Sequence, residues 1–236
     1  MKRAAFYILF LALCAQAYTQ PPKVKNLQRF DAKKYHFGFS LGFNSASFAL
    51  HRRGFQFPKD SLANIEVVNQ SGFNLGIVTD LHLHKYFNLR FVPTLVFGQR
   101  NLNFKFLDPQ GEPYIEERII ESTYLDFPII LKYRSARLNN FAAYVLAGFK
   151  PSIDLASNER VDNRDIPESI IKLRRNTTSA EIGIGTDFFL PYFKFAIEAK
   201  MSYGLQNAMV RDNTELSTPI ERIVPKMFIL SFLFEG

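Results

Sequence analysis

Glu181, Glu198 and Lys200, with Asp126 and Lys132, are the residues whose types and spacing offer acid–base chemistry. Each interrupts an alternating apolar stretch, so a carboxylate from one stretch could meet a carboxylate or an ammonium from another, as general acid–base work requires. The same residues serve as a buried network of mutually neutralising charges, because an unpaired charge removed from water costs several kcal/mol. The network reading is preferred, since no histidine stands among these positions and no serine nucleophile motif accompanies them. His82 and His84, at i and i+2 on one strand face, have the spacing of a metal-binding pair. No cysteine or third ligand lies near them in sequence, so an interfacial or periplasmic polar role is expected instead. His36 and His51 form no constellation. The expectation is therefore no enzyme: no catalytic, cofactor-binding or metal residues, no cofactor and no small-molecule substrate.

Two further groups can make contacts without doing chemistry. Lys172, Arg174 and Arg175, with Arg52 and Arg53, can meet anionic lipopolysaccharide or an acidic partner, or simply be solvated in loops. Tyr35, Tyr86, Tyr133, Tyr192 and Tyr203 sit near strand ends, where an amphipathic ring prefers a membrane interface. Asn176-Thr177-Thr178 matches a glycosylation sequon, a short match expected to be idle.

The elements that must position these residues are strands. From Gly72 to Gly98, Phe73, Leu75, Ile77, Leu81 and Leu83, then Leu89, Phe91, Leu95 and Phe97, alternate with small or polar residues on either side of a short turn. Continuing the period-2 pattern gives eight segments: about 35–44, the pair just described, 123–133, 141–153, 177–190, 193–205 and a last one ending the chain with Phe228, Leu230, Phe232 and Phe234 on one face. The fifth is apolar on both sides and its facing is ambiguous. Connections at about 85–88, 134–140 and 191–192 are short. Those at about 45–71, 101–120, 155–176 and 206–224 are long and polar. Pro93 and Pro128 each remove a backbone donor, so a bulge or local widening is expected where the third and fourth strands pair.

The N-terminus has a basic start at Lys2 and Arg3, an apolar run from Phe6 to Leu13 and a small-x-small Ala15-Gln16-Ala17, the pattern of a cleaved secretory signal over 1–17. Cys14 is expected to leave with it, because the bulky Leu13 does not suit a lipid-attachment site. Cleavage removes one Lys and one Arg and takes the formal charge from +7 to 27 − 22 = +5. That charge, spread along an exported chain, gives no indication of nucleic acid. Residues 18–34 are expected to form a periplasmic segment and 35–236 the remaining domain.

Which solvent the apolar faces meet follows from what lies opposite them. A soluble barrel holds its apolar side chains inside; a membrane barrel carries them outside, with aromatic residues near the edges of the band. Here one face of nearly every strand holds Phe, Leu and Ile, and the other holds glycines with Asp126, Lys132, Glu181, Glu198 and Lys200. A narrow lumen admits small residues and a few paired charges, whereas it has no room for rows of phenylalanine. The pattern predicts an all-β protein: an eight-stranded antiparallel transmembrane barrel of the bacterial outer membrane, with short periplasmic turns, long extracellular loops and both chain ends periplasmic.

Four stretches carry a family likeness: GFNLGIVTDLHLHKYFNLRF from Gly72, TYLDFPIILKYR from Thr123, RLNNFAAYVLAG from Arg137 and EIGIGTDFFLPYFKF from Glu181. The chain resembles the PorT/SprT family, outer-membrane barrel components of the type IX secretion system within a broader superfamily of outer-membrane barrels. The resemblance implies a non-enzymatic part in exporting proteins or assembling the export machinery, in some bacteria with gliding motility. Its expected partners are outer-membrane lipid and other type IX secretion subunits. An eight-stranded lumen is filled by side chains, so an accessory role is expected rather than a conduit. The other reading is a generic small barrel with an envelope-structural or surface-adhesin role. One departure from the usual pattern is terminal: Glu235-Gly236 follow Phe234, where such barrels usually end on an aromatic residue.

Overall fold

Strict alternation makes each strand two-faced, and a sheet with one lipid-type face must close on itself to satisfy its edges. A computed structural model, describing residues 24–52, 62–108, 110–157, 159, 171–211 and 220–236, has this closure. The expected signal peptide lies outside the described residues. Ten segments form one antiparallel sheet: β1 (Tyr35–Arg52), β2 (Leu62–His84), β3 (Phe87–Phe91), β4 (Thr94–Leu107), β5 (Pro113–Asp126), β6 (Ile129–Arg134), β7 (Phe141–Asp154), β8 (Asn176–Phe189), β9 (Lys194–Gly204) and β10 (Ile220–Glu235). β1 pairs with both β10 and β2, and β7 with both β8 and the β5–β6 pair, so the ring is closed.

Eight barrel strands result because β3 continues into β4, and β5 into β6, across the two prolines. Phe91 lies opposite Ile129 and Thr94 opposite Asp126, so the register passes both gaps unchanged. Pro93 and Pro128 sit side by side on neighbouring strands, and their carbonyls still accept from Ile77 N–H at 3.0 Å and Val92 N–H at 3.3 Å. The two missing donors are thus gathered into one patch. The expected local irregularity is a paired two-residue gap and not a bulge.

The outward faces carry the apolar band. Tyr35, Phe37, Phe39, Leu41 and Phe43 on β1 and Leu125, Ile129, Leu131 and Tyr133 along β5–β6 are all exposed or half-exposed. Near the short-turn end, Phe141, Phe188, Phe195, Phe234 and Phe39 follow one another across five adjacent strands, with ring centroids 4.9–6.3 Å apart. Aromatic girdles of this kind mark the interface of outer-membrane barrels. The ambiguous fifth strand is settled by its neighbours: Phe141, Val145 and Phe149 face out, while Ala142, Tyr144 and Leu146 face in.

The strands run well past the band, which corrects the long loops expected at 45–71 and 101–120. β1 continues to Arg52, β2 begins at Leu62, β4 reaches Leu107, β5 starts at Pro113 and β10 starts at Ile220. The connection expected at 101–120 is mostly strand, with β4 running to Leu107 and β5 starting at Pro113. Between them the Asp108 side chain accepts from the N–H groups of Gln110 and Glu112, and Gly111 takes a φ of +85°. The connections 155–175 and 205–219 are long, as expected, so the short-long alternation holds with part of its length taken up by strand. Beyond the band the solvent outside is water, so the apolar side moves inward. On β4, Leu95 and Phe97 face out, whereas Leu102 and Phe104 are fully buried. Phe48, Ile65, Leu102, Phe104, Ile220 and Ile223 form a core in the protruding end. Segments 171–175 and 207–210 close over it, with Leu173 bridged to Met209.

At the opposite end, residues 24–33 fold against the barrel mouth. Phe30 is buried, stacks on His36 at 3.7 Å and meets Phe189 edge-on. Asp31 pairs with Arg134 at 2.7 Å, and the Asn140 side chain accepts from Asn26 N–H at 2.8 Å and donates to Val24 O at 3.0 Å.

Candidate functional site

Between the two ends, the inward faces of six strand segments bring ionisable groups together. Arg90 on β3 donates through Nε to Asp80 on β2 at 3.0 Å, and through its other two nitrogens to Glu198 on β9 at 2.9 Å and Glu235 on β10 at 3.2 Å. Lys194 reaches Glu235 at 2.7 Å and lies 4.0 Å from Asp187 on β8; Lys132 on β6 donates to Asp187 at 2.8 and 3.0 Å. Lys200 pairs with Glu198 at 3.1 Å. Four cations and four carboxylates are thus linked in a set with no net charge. Tyr144 donates to Glu198 at 2.9 Å, and Asn88 donates to Asp80. A second group lies further along, where Lys150 meets Asp126 at 3.0 Å and Glu181 at 3.3 Å.

Small residues make the space for this set. A Cβ at Gly185 would overlap the ring of Tyr144, and one at Gly183 would meet Lys200 Cγ at 2.8 Å. The glycines on the inward faces are therefore the complement of the long side chains opposite them. Val78, Val92, Ile130, Leu146, Ala196 and Leu233 fill the remaining room around the network. The chamber between Arg100, Tyr124, Asp126, Lys150, Ser202 and Lys226 has about 20 Å³, room for about one water.

All five charged residues singled out from sequence lie in these two groups, Glu198, Lys200 and Lys132 in the first, Asp126 and Glu181 in the second. Each is engaged by an opposite charge, so the arrangement neutralises charge inside the wall. Sequence reasoning did not pick out Asp80, Arg90, Lys150, Asp187, Lys194 and Glu235. The signal was present, because each lies on the inward parity of its strand. Glu235, read as a departure from a terminal aromatic residue, is 1% exposed and joins Arg90 to Lys194. His82 and His84 lie at the short-turn end of β2, apart from the network, with His84 6.3 Å from the ring of Tyr86. Tyr192 is 89% exposed in the turn before β9, and Tyr35, Tyr133 and Tyr203 face outward. Arg174 and Arg175 are exposed and Lys172 is half-buried. Arg53 lies outside the described residues. Asn176 opens β8 and Thr177 is buried.

A closed ring of eight antiparallel strands, apolar outside and filled inside by paired charges, defines a small transmembrane β-barrel. The family model for the outer membrane protein beta-barrel domain matches residues 15–210, and the chain belongs to that family, whose place is the bacterial outer membrane. Among solved structures it is similar to the outer membrane protein OprG from Pseudomonas aeruginosa, at 13% identity over 92% of this chain and 97% of that one, with a TM-score of 0.40. It is also similar to Ail, the attachment invasion locus protein of Yersinia pestis, at 14% identity over 86% of this chain and 100% of that one, with a TM-score of 0.36. No curated protein matches the sequence.

Proposed function

We propose that this chain is a non-enzymatic, non-conducting barrel that supports the outer membrane structurally and contacts other molecules through its protruding end. The observation that carries the reading is the filled interior: the 24–33 segment at one mouth, the ion network and apolar layer in the middle, and the Phe104 core capped by Leu173 and Met209 at the other. Surfaces are then what remains for function: the lipid-facing band and the strands that extend beyond it. Both described chain ends lie at the short-turn end, which supports a periplasmic position for them, with the long hairpins outside the cell.

A second reading is a part in type IX secretion, with other secretion subunits as partners, and it rests on the four stretches that resemble PorT/SprT. In the fold those stretches supply Asp80, Arg90, Lys132, Tyr144, Asp187 and Lys194, which fill the lumen. Barrel construction accounts for them, so the envelope reading stands first. Within the second reading the filled lumen favours an accessory over a conduit.

One experiment separates the two. A strain lacking the gene, and the same strain complemented, are compared for detergent sensitivity, surface adhesion and the distribution of secreted cargo. The envelope reading expects lost integrity or adhesion with normal cargo; cargo trapped in the periplasm and released by complementation would transfer the assignment to secretion. Purified barrel in planar bilayers is expected to show no stepwise conductance, and stable open steps would contradict a filled lumen.

A further inference from the structure

β5 has a partner along one edge for its whole length and along the other for only a few residues. β4 accompanies it from Asp126 to Pro113 with no shift in register. β7 pairs with it only at Tyr124, Leu125 and Asp126, because the chain leaves the sheet after Asp154. The last bond on that side runs from Leu155 N–H to Thr123 O, at 2.8 Å. Among the described residues, no strand lies along the same edge from Pro113 to Ser122.

Parity identifies the groups left there. In an antiparallel strand alternate residues direct both backbone groups to the same side. Thr123 and Phe127 direct theirs to β7, so Ile115, Glu117, Ile119 and Glu121 direct theirs to the open edge. Ile115 and Ile119 also face outward, 64% and 56% exposed. They stand beyond the apolar band, which on this strand ends at Leu125.

Edges in natural sheets are commonly blunted by proline, lysine or a bulge. The run YIEERIIES from Tyr114 to Ser122 contains neither residue, and its register with β4 has no bulge. It carries three glutamates against one arginine, a net charge of −2. Two copies of this edge repel each other, and a basic strand is attracted.

We propose that the open edge of β5 from Ile115 to Glu121 is a docking site for an extended segment of another protein, added as a further strand and carrying basic residues in alternation with apolar ones. Backbone bonds supply pairing, as in other cases of strand addition, while Ile115, Glu117 and Ile119 select the side chains. The edge takes about seven residues, roughly 23 Å of extended chain. The proposal deepens the surface-contact reading given above and rests on it for the side of the membrane.

The test is hydrogen exchange on the full barrel in lipid nanodiscs, with an eight-residue peptide of alternating lysine and valine as probe and a glutamate-valine peptide as control. In the free protein the amides of Ile115, Glu117 and Ile119 are expected to exchange fast, and to slow about tenfold with the lysine peptide only. Ile119→Pro removes one edge donor and leaves the donors facing β4, so it should abolish protection at Glu117 while Arg118 and Ile120 stay protected. Glu117→Lys, which leaves the backbone intact, should weaken the lysine peptide. Edge amides that are slow already in the free protein, slowing that follows protein concentration, equal protection by both peptides, or none would each overturn the proposal. Because the measurement uses purified barrel, its failure is distinct from a deletion strain that shows no envelope phenotype.

Discussion

Replacing Arg90 by methionine tests whether the lumen charges are held by pairing. The side chain keeps an unbranched apolar stem that ends about where the guanidinium begins, and it loses three ion pairs, of 3.0, 2.9 and 3.2 Å. The losses are unequal. Glu198 retains Lys200 at 3.1 Å and Tyr144 at 2.9 Å, and Glu235 retains Lys194 at 2.7 Å. Among the described residues, Asp80 retains the amide of Asn88 and no ion pair within 4.0 Å, with Lys194 and Lys132 more distant. Breaking a buried pair from one side generally costs about 3–5 kcal/mol, chiefly because a charge is left uncompensated, and the geometry assigns that charge to Asp80. Asp80→Asn in the Arg90→Met background restores neutrality and leaves Asn88 an acceptor, so the double variant should recover at least about half of the loss. Equilibrium urea unfolding in phospholipid vesicles, followed by the mobility difference between folded and unfolded barrel, gives both values. Loss of less than about 1 kcal/mol in the single variant, or a double variant no more stable than it, would refute the reasoning.

Further outcomes follow from the packing and the position of the band. Gly185→Val drives a side chain into Tyr144 and breaks its bond to Glu198; a loss of about 1–3 kcal/mol in the same unfolding assay is expected, and an unchanged midpoint would contradict the lumen packing. Ile184 and Ile115 are equally exposed, at 64% each, but the first faces lipid and the second faces water. Ile184→Arg should therefore cost about 2–4 kcal/mol near the middle of the band, and Ile115→Arg should stay within about 0.5 kcal/mol. Equal effects in the two variants would show that the band has been misplaced.

The barrel was legible in the sequence wherever one rule held over a whole segment. Phe37, Phe39 and Leu41, or Ile182 and Ile184, face a uniform solvent, and their alternation gives strand, facing and approximate ends at once. The protruding ends were not legible, because the rule reverses there. Between Phe97 and Leu102 the apolar residues pass from odd to even positions, and a search for apolar residues on the lipid side reads that reversal as loop. The bulge in β2 between Asn69 and Phe73 obscures the phase in the same way. The network was half legible. Glu198 and Lys200 stand out as charges in an apolar strand, whereas Arg90 sits unremarkably between Leu89 and Phe91 in a short segment. Glu235 was hidden by its place at the end of the chain. Which cation meets which carboxylate depends on the stagger between strands, and alternation along a single strand carries no information about stagger.

The position of Glu235 bears on how the molecule is made. Asp80 and Arg90 belong to the early strands and Lys194 to a late one, and the tie between them is completed by Glu235 on β10. Until β10 meets β1, the growing sheet has an open seam and an incomplete set of countercharges, both of them unfavourable in hydrocarbon. Zipping the seam removes the two defects in the same event. The wall and its contents are thus completed together, when β10 meets β1.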